Sequence, residues 1–269
     1  MDLTPSGIAY DQAGSTDDPA VVLVHAGVAD RRMWDPQWEA LSSRHHVVRL
    51  DLRGFGDSTT PPDGDLANVA DLLATLDHLG IRSCHLVGAS MGAGVAAEAA
   101  LTAPRLVRSL VLCPPGGSLF AEVTDELRAF WRAEGEALDA GDLDAAAEAN
   151  VACWVVGPGR TASEVDQSVQ DAVRRMQRRV FEVYLPWGDL EEVELEPPAL
   201  DRLAELTVPT LVLVGAHDLS ATRDSAERLS AGLPDVRRVD WPDVAHLPSM
   251  EQPERFLELL LDWLAQQAD

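Results

Sequence analysis

Short apolar runs alternate along this chain with longer stretches in which apolar residues recur every three to four positions. The short runs cover 8–12, 20–25, 46–51, 84–89, 107–113, 209–215 and 236–241. Several are continuously apolar, which predicts parallel strands covered on both faces. Between them, 67–79 places Val69, Leu72, Leu73, Leu76 and Leu79 on one helical stripe, and Gly80 follows as a stop. A last helix is predicted over 253–266, with Pro253 in its first turn. Strand and helix in alternation predict an α/β fold with a doubly wound, mostly parallel sheet.

One region breaks the alternation. From 117 to 205 no strand-like run occurs, and helical pattern covers 125–140, 142–155 and 162–185, punctuated by Gly141 and by Gly-Pro-Gly-Arg at 157–160. This predicts a helical cap over 117–205, inserted into a core made of 1–116 and 206–269. Trp131, Trp154 and Trp187 lie in the insertion, either lining a pocket or holding the cap to the body. Arg174, Arg175, Arg178 and Arg179 also lie there. They would clamp a substrate carboxylate if turned inward. The apolar stripe of Val173, Met176, Val180 and Phe181 predicts instead that they face solvent.

Composition narrows the function classes. The chain has 269 residues, and its formal net charge of -24 disfavours nucleic acid and anionic lipid as partners. All 21 basic residues are arginine, so lysine Schiff-base chemistry is excluded. No apolar run approaches the roughly 18 residues of a membrane span. The first residues lack the features of a secretory signal, and Cys84, Cys113 and Cys153 show no C-x-x-C spacing. Reduced thiols in a cytoplasmic protein are expected. No His, Cys, Asp or Glu cluster has metal-ligand spacing, no G-x-G-x-x-G follows a strand, and no cofactor is expected.

The candidate chemistry starts at Gly88-Ala-Ser-Met-Gly92. It follows a buried strand and precedes a helix of very small residues, the setting of a serine held on a tight strand-to-helix turn. Such a turn needs neighbours without a Cβ, and Gly88 and Gly92 meet that need. A serine hydroxyl needs a base and a group to orient that base. His246 lies in the loop between the last strand and the last helix, and Asp218 directly follows the strand at 209–215. His217 is adjacent, but Asp218 is the better-placed acid. Ser90, Asp218 and His246 therefore stand in the chain order Ser…Asp…His.

On these pieces the chain resembles α/β-hydrolase-fold enzymes over nearly its whole length. The carriers are "VVLVHAGVADRRMWDPQ", "VVRLDLRGFGDS", "LVGASMG", "VPTLVLVGAHD" and "VAHLPSMEQPERF". The details most resemble the 3-oxoadipate enol-lactonase-like group and small carboxylesterases. The resemblance implies an oxyanion hole from the backbone N–H of Met91 and that of Gly27 or Val28, with Ala26 standing where relatives often have glycine. It also implies a structural His25 beneath that loop, loop-shaping roles for Arg53, Gly54 and Gly56, and a local hydrogen-bonding role for Asp57. Asp30, Arg31 and Arg32 are expected to form a solvated turn. The expected activity is hydrolysis of a small ester or lactone through an acyl-enzyme. Carbon–carbon bond hydrolysis, cofactor-free peroxidase-type or cyclase chemistry, and a silent small-ligand receptor are the alternatives.

Overall fold

The structure is a computed structural model and describes residues 1–17 and 19–267. Its elements are β1 (Asp2–Leu3), β2 (Ala9–Ala13), β3 (Ala20–Val24), α1 (Asp35–Ser42), β4 (His46–Leu50), α2 (Asn68–His78), β5 (Cys84–Ser90), α3 (Met91–Thr102) and β6 (Val107–Pro115). There follow α4 (Asp125–Asp139), α5 (Leu143–Asn150), α6 (Gln167–Tyr184), β7 (Thr210–Gly215), α7 (Ser220–Gly232), β8 (Val236–Trp241), α8 (Pro248–Glu251) and α9 (Pro253–Gln266). The strands form one sheet in the order β1-β2-β4-β3-β5-β6-β7-β8. From β4 to β8 every neighbouring pair is parallel, while β2 runs antiparallel to both β1 and β4.

The continuous apolar runs are central because both of their faces are covered. Along β3 the side chains alternate between two cores. Val22 and Val24 pack with Leu72 and Leu76 of α2 and the alanines of α3, whereas Val21 and Leu23 pack with Trp34, Phe256 and Trp263. The predicted strands and the flanking helices are present, with Gly80 at φ 71° after α2 and Pro253 opening α9. The antiparallel β1 was not predicted, because two residues, both exposed, carry no period.

Between β6 and β7 no element joins the sheet. The helices predicted there differ at two joints. The second is α-helical only to Asn150 and continues as a π-helical turn, Val151–Val156. The third begins at Gln167, because the Asp166 side chain accepts from Ser168 N and caps the helix there. The extended stretch near Glu192 runs beside Leu66, with Leu66 N donating to Glu191 O at 2.8 Å and Val193 N to Leu66 O at 2.7 Å. Among the described residues no helix is long and apolar enough to cross a membrane. Cys84, Cys113 and Cys153 are free thiols, the first two fully buried.

Candidate active site

Strands β3, β5, β7 and β8 run in one direction, so the segments after them emerge at one edge of the sheet. That edge is where open α/β sheets bind ligands. Ser90 ends β5 with φ 54° and ψ -116°, and it is the one non-glycine residue with positive φ among those described. The packing around it explains why glycines flank it. A Cβ on Gly88 would lie 2.2 Å from Gly92 O, and one on Gly92 would lie 2.5 Å from both Val24 O and His25 O. A Cβ on Gly116 would lie 2.9 Å from Ser90 Oγ itself. The strained turn is thus held by close backbone contacts from three sides.

His246 and Asp218 meet across 28 residues of sequence. His246 Nδ1–H donates to Asp218 Oδ1 and Oδ2 at 2.9 and 2.8 Å, with both side chains buried. Asp218 Oδ1 also accepts from Leu219 N at 2.7 Å. A carboxylate only accepts, so the proton sits on Nδ1 and Nε2 is the ring's acceptor. Nε2 is buried and has no hydrogen-bond partner. His217 is not part of this pair; its Nδ1 lies 3.1 Å from Pro158 O.

Trp154 joins these residues to the cavity. The π-helical turn places its ring centroid 4.4 Å from that of His246, and its carbonyl accepts the His246 N–H at 3.3 Å. A cavity of about 550 Å³ opens on Ser90 and is lined there by Gly27, Val28, Met91 and Trp154. That volume suits a small-molecule ligand. Phe120 and Phe130 pack against Trp154, at centroid distances of 6.5 and 5.4 Å, and line the cavity with it.

Of the three tryptophans proposed for the pocket, only Trp154 lines it. Trp131 is 48% exposed, because its position on α4 falls outside the buried stripe. Trp187 packs on Tyr184 at 5.7 Å and over Gly54, outside the lining. The aromatics that sequence reading missed are Phe55, Phe120, Phe130, Phe181 and Tyr184. Glu134, Asn150 and Gln177 were missed too. Gln177 did carry a signal: it occupies a stripe position between Val173 and Phe181, where a polar residue interrupts an apolar face.

The expected oxyanion residues lie together. A Cβ on Gly27 would come 3.6 Å from the Met91 Cβ, so the loop after β3 sits on the first turn of α3. His25 braces that loop: Nδ1–H donates to Ala26 O at 2.8 Å and Nε2 accepts from Leu52 N at 2.9 Å. Burial lowers its pKa, in keeping with a neutral ring. Ala26 is fully buried, and its N–H reaches Met33 Sδ at 3.3 Å.

The turn at 30–32 is not solvated as expected. Asp30 and Arg31 are buried, with Arg31 paired to Asp11, Asp51 and Asp57. A buried guanidinium needs this many acceptors. Arg53 is buried too, forked onto Asp71 at 2.8 and 2.7 Å. None of the four α6 arginines lines the cavity: Arg174 pairs with Glu148 and Asp171 and Arg178 with Asp144 and Glu182, while Arg179 does not face solvent freely but donates to Gly56 O at 3.4 Å. Among the described residues no group of three or more His, Cys, Asp or Glu is placed to hold a metal ion.

Comparison with known proteins agrees with this fold. Residues 19–253 match the family model of the alpha/beta hydrolase fold. The chain is 25% identical to 3-oxoadipate enol-lactonase 1 of Acinetobacter baylyi, over 91% of this chain and 88% of that protein. It is 27% identical to the pimeloyl-[acyl-carrier protein] methyl ester esterase of Aeromonas hydrophila, over 90% and 94%. Among solved structures, a thermophilic esterase from Thermogutta terrifontis superposes with a TM-score of 0.77 at 27% identity, covering 97% of this chain and 94% of that one. The chain belongs to the α/β-hydrolase fold family and is a hydrolase of the kind that includes enol-lactonases and esterases.

Proposed function

We propose that this protein is a serine hydrolase of small esters or lactones, working through Ser90, His246 and Asp218. The observation that carries the reading is the His246–Asp218 pair, whose hydrogen bonds leave Nε2 as an unpartnered buried acceptor at the edge of the sheet where Ser90 ends β5. His246 Nε2 takes the Ser90 proton as Oγ attacks the carbonyl carbon. The carbonyl oxygen gains the charge and is held by the N–H of Met91 and that of Gly27 or Val28, donors that need no reorganisation. His246 then protonates the leaving oxygen, and the ester bond breaks to give an acyl-serine. Water, deprotonated by His246, attacks the acyl carbon and releases the acid and free Ser90. Asp218 holds the ring in its tautomer and stabilises the imidazolium.

The helical segment between β6 and β7 serves in this reading as the cap. It supplies Phe120, Phe130, Trp154 and Phe181, the apolar walls around the substrate chain. The test is covalent and kinetic. A fluorophosphonate probe should label Ser90, and p-nitrophenyl ester hydrolysis should vanish in Ser90→Ala. Labelling elsewhere, or activity kept in that variant, would overturn the assignment.

A further inference from the structure

In the reading above the cavity on Ser90 has backbone donors at one end, and residues with side-chain acceptors line it elsewhere. Two lining side chains, Asn68 and Gln177, are more than nine-tenths buried, and their oxygens Oδ1 and Oε1 have no partner. Asn68 Nδ2 donates to Glu192 Oε1 at 2.6 Å. Since the carboxylate cannot donate, the amide orientation is set and Oδ1 is the unused atom. Glu134 faces the same cavity. Its Oε1 accepts from Asn150 Nδ2 at 2.5 Å, and burial pushes its carboxyl up while that hydrogen bond opposes the rise. Asn150 has no donor to spare, because the same nitrogen also donates to Ala146 O at 3.0 Å.

The cavity offers no free cation to balance these acceptors. Among the described residues Arg53 is the one basic side chain in the lining. Its charge is paired with Asp71, and four of its five N–H groups are taken by Asp71, Ser6 O and Thr60 O. The charged lining is therefore net acidic, with Glu134 and Glu192 against a neutralised Arg53. A carboxylate there would meet like charge without a partner. A hydroxyl or ammonium would supply the donors that the Asn68 and Gln177 oxygens lack, beside the Glu134 carboxylate.

We propose that the wall formed by Asn68, Glu134, Gln177 and Glu192 is a subsite for a hydrogen-bond-donating group, a hydroxyl or an ammonium, carried by the substrate away from its scissile carbonyl. The inference rests on the ester-hydrolase reading above and names the substrate class it leaves open. The polarity of the cavity also orients the substrate. The carbonyl oxygen turns to the amides of Met91 and Gly27 or Val28, and the donor group turns to the acceptor wall.

The test uses p-nitrophenyl hexanoates bearing hydrogen, hydroxyl, ammonium or carboxylate at the far carbon. Wild type should favour the hydroxyl and ammonium esters over the plain one by about tenfold or more in kcat/KM, since a buried acceptor left unpaired penalises the analogue that lacks the donor. The carboxylate ester should be the poorest. In the near-isosteric variants Gln177→Met and Glu134→Gln the preference should fall below about threefold. Equal or better turnover of the plain or carboxylate ester, or a preference kept in both variants, overturns the subsite. A second measurement does not need turnover. In Ser90→Ala, isothermal titration should show 6-amino-1-hexanol and 1,6-hexanediol binding more tightly than 1-hexanol, with the difference lost in Gln177→Met. If no ester turns over but this order holds, the hydrolase reading fails and the subsite stands. If esters turn over and the order is absent, the subsite fails alone.

Discussion

The Nδ1–H of His246 donates to both carboxylate oxygens of Asp218, at 2.9 and 2.8 Å, and thereby makes Nε2 the basic nitrogen of the ring. Asp218→Asn can instead present an amide N–H to Nδ1 and favour the other tautomer. The expected loss in kcat is about 10⁴-fold, the scale seen when the acid of a serine-protease triad is changed in this way. Steady-state kinetics on a p-nitrophenyl ester, with the near-UV circular dichroism unchanged, checks it. A loss of less than tenfold would show that Asp218 does not orient the base.

Glycine at 92 is required by contact rather than by φ. A Cβ there would meet the Val24 and His25 carbonyl oxygens at 2.5 Å, and these are backbone atoms that cannot swing aside. Gly92→Ala should destabilise by roughly 1–3 kcal/mol, as overpacking does. It should also lower kcat by shifting Ser90 against the Met91 amide. Thermal unfolding and ester hydrolysis measured on one preparation test both effects.

Trp154 and Trp131 should behave oppositely. Trp154→Leu removes the ring against His246 and the carrier of the Phe120 and Phe130 contacts, so both KM and kcat should worsen. Trp131→Ala, at an exposed position on α4, should change neither and should shift stability by no more than about 0.5 kcal/mol. A kinetic defect in the Trp131 variant would place the substrate outside the cavity described here.

The loop that carries His246 is anchored by a buried ion pair. Arg160 Nη1 donates to Glu251 Oε2 at 2.7 Å, and Glu251 Oε1 accepts from Ala245 N at 2.9 Å. Arg160 also donates to Val155 O and Val156 O at 2.7 Å, so one network holds the Trp154 turn and the His246 loop. Removing one partner strands the other, at a cost of about 3–5 kcal/mol. Arg160→Gln should therefore lower the melting temperature and reduce kcat more than it raises KM. A melting shift with unchanged kcat would make the pair structural only.

His85 gives the fold an acid limit. It is buried beside Ser109 Oγ at 2.8 Å, and burial, followed by the charge of Arg108, pushes its pKa down to about 4. Below pH 6.5 the unfolded chain binds a proton that the folded chain refuses, so stability is full above 6.5 and falls as pH drops toward 4. The loss between pH 7 and pH 5 is about 2 kcal/mol from this group. Urea unfolding at the two pH values should show a smaller pH difference in His85→Gln than in wild type. An equal difference would assign the acid sensitivity to other groups.

Much of this protein is legible in its residue order. The periods of two and of three to four residues set the central strands and the flanking helices, because burial on both faces of a sheet demands continuous apolar runs. Gly88 and Gly92 around Ser90 mark a turn that other residues cannot enter, since a Cβ at either would strike backbone carbonyls. Side-chain destinations at long sequence separation are another matter. Arg31 reads as a surface residue until Asp11, Asp51 and Asp57 converge on it. Trp131, Trp154 and Trp187 read alike, and only the π-helical turn aims one of them at His246. Nothing local brings Asn68 to the cavity wall, or pairs Arg53 with Asp71 and leaves that wall acceptor-rich, and the polar break that Gln177 makes in its stripe does not say what it faces. Local patterns are read by solvent exposure along one element, so sequence alone determined the sheet, the turn at Ser90 and the order Ser90, Asp218, His246. The pairing of Asp218 with His246, and the chemistry of the cavity, depend on which elements pack together, and only the tertiary structure decided them.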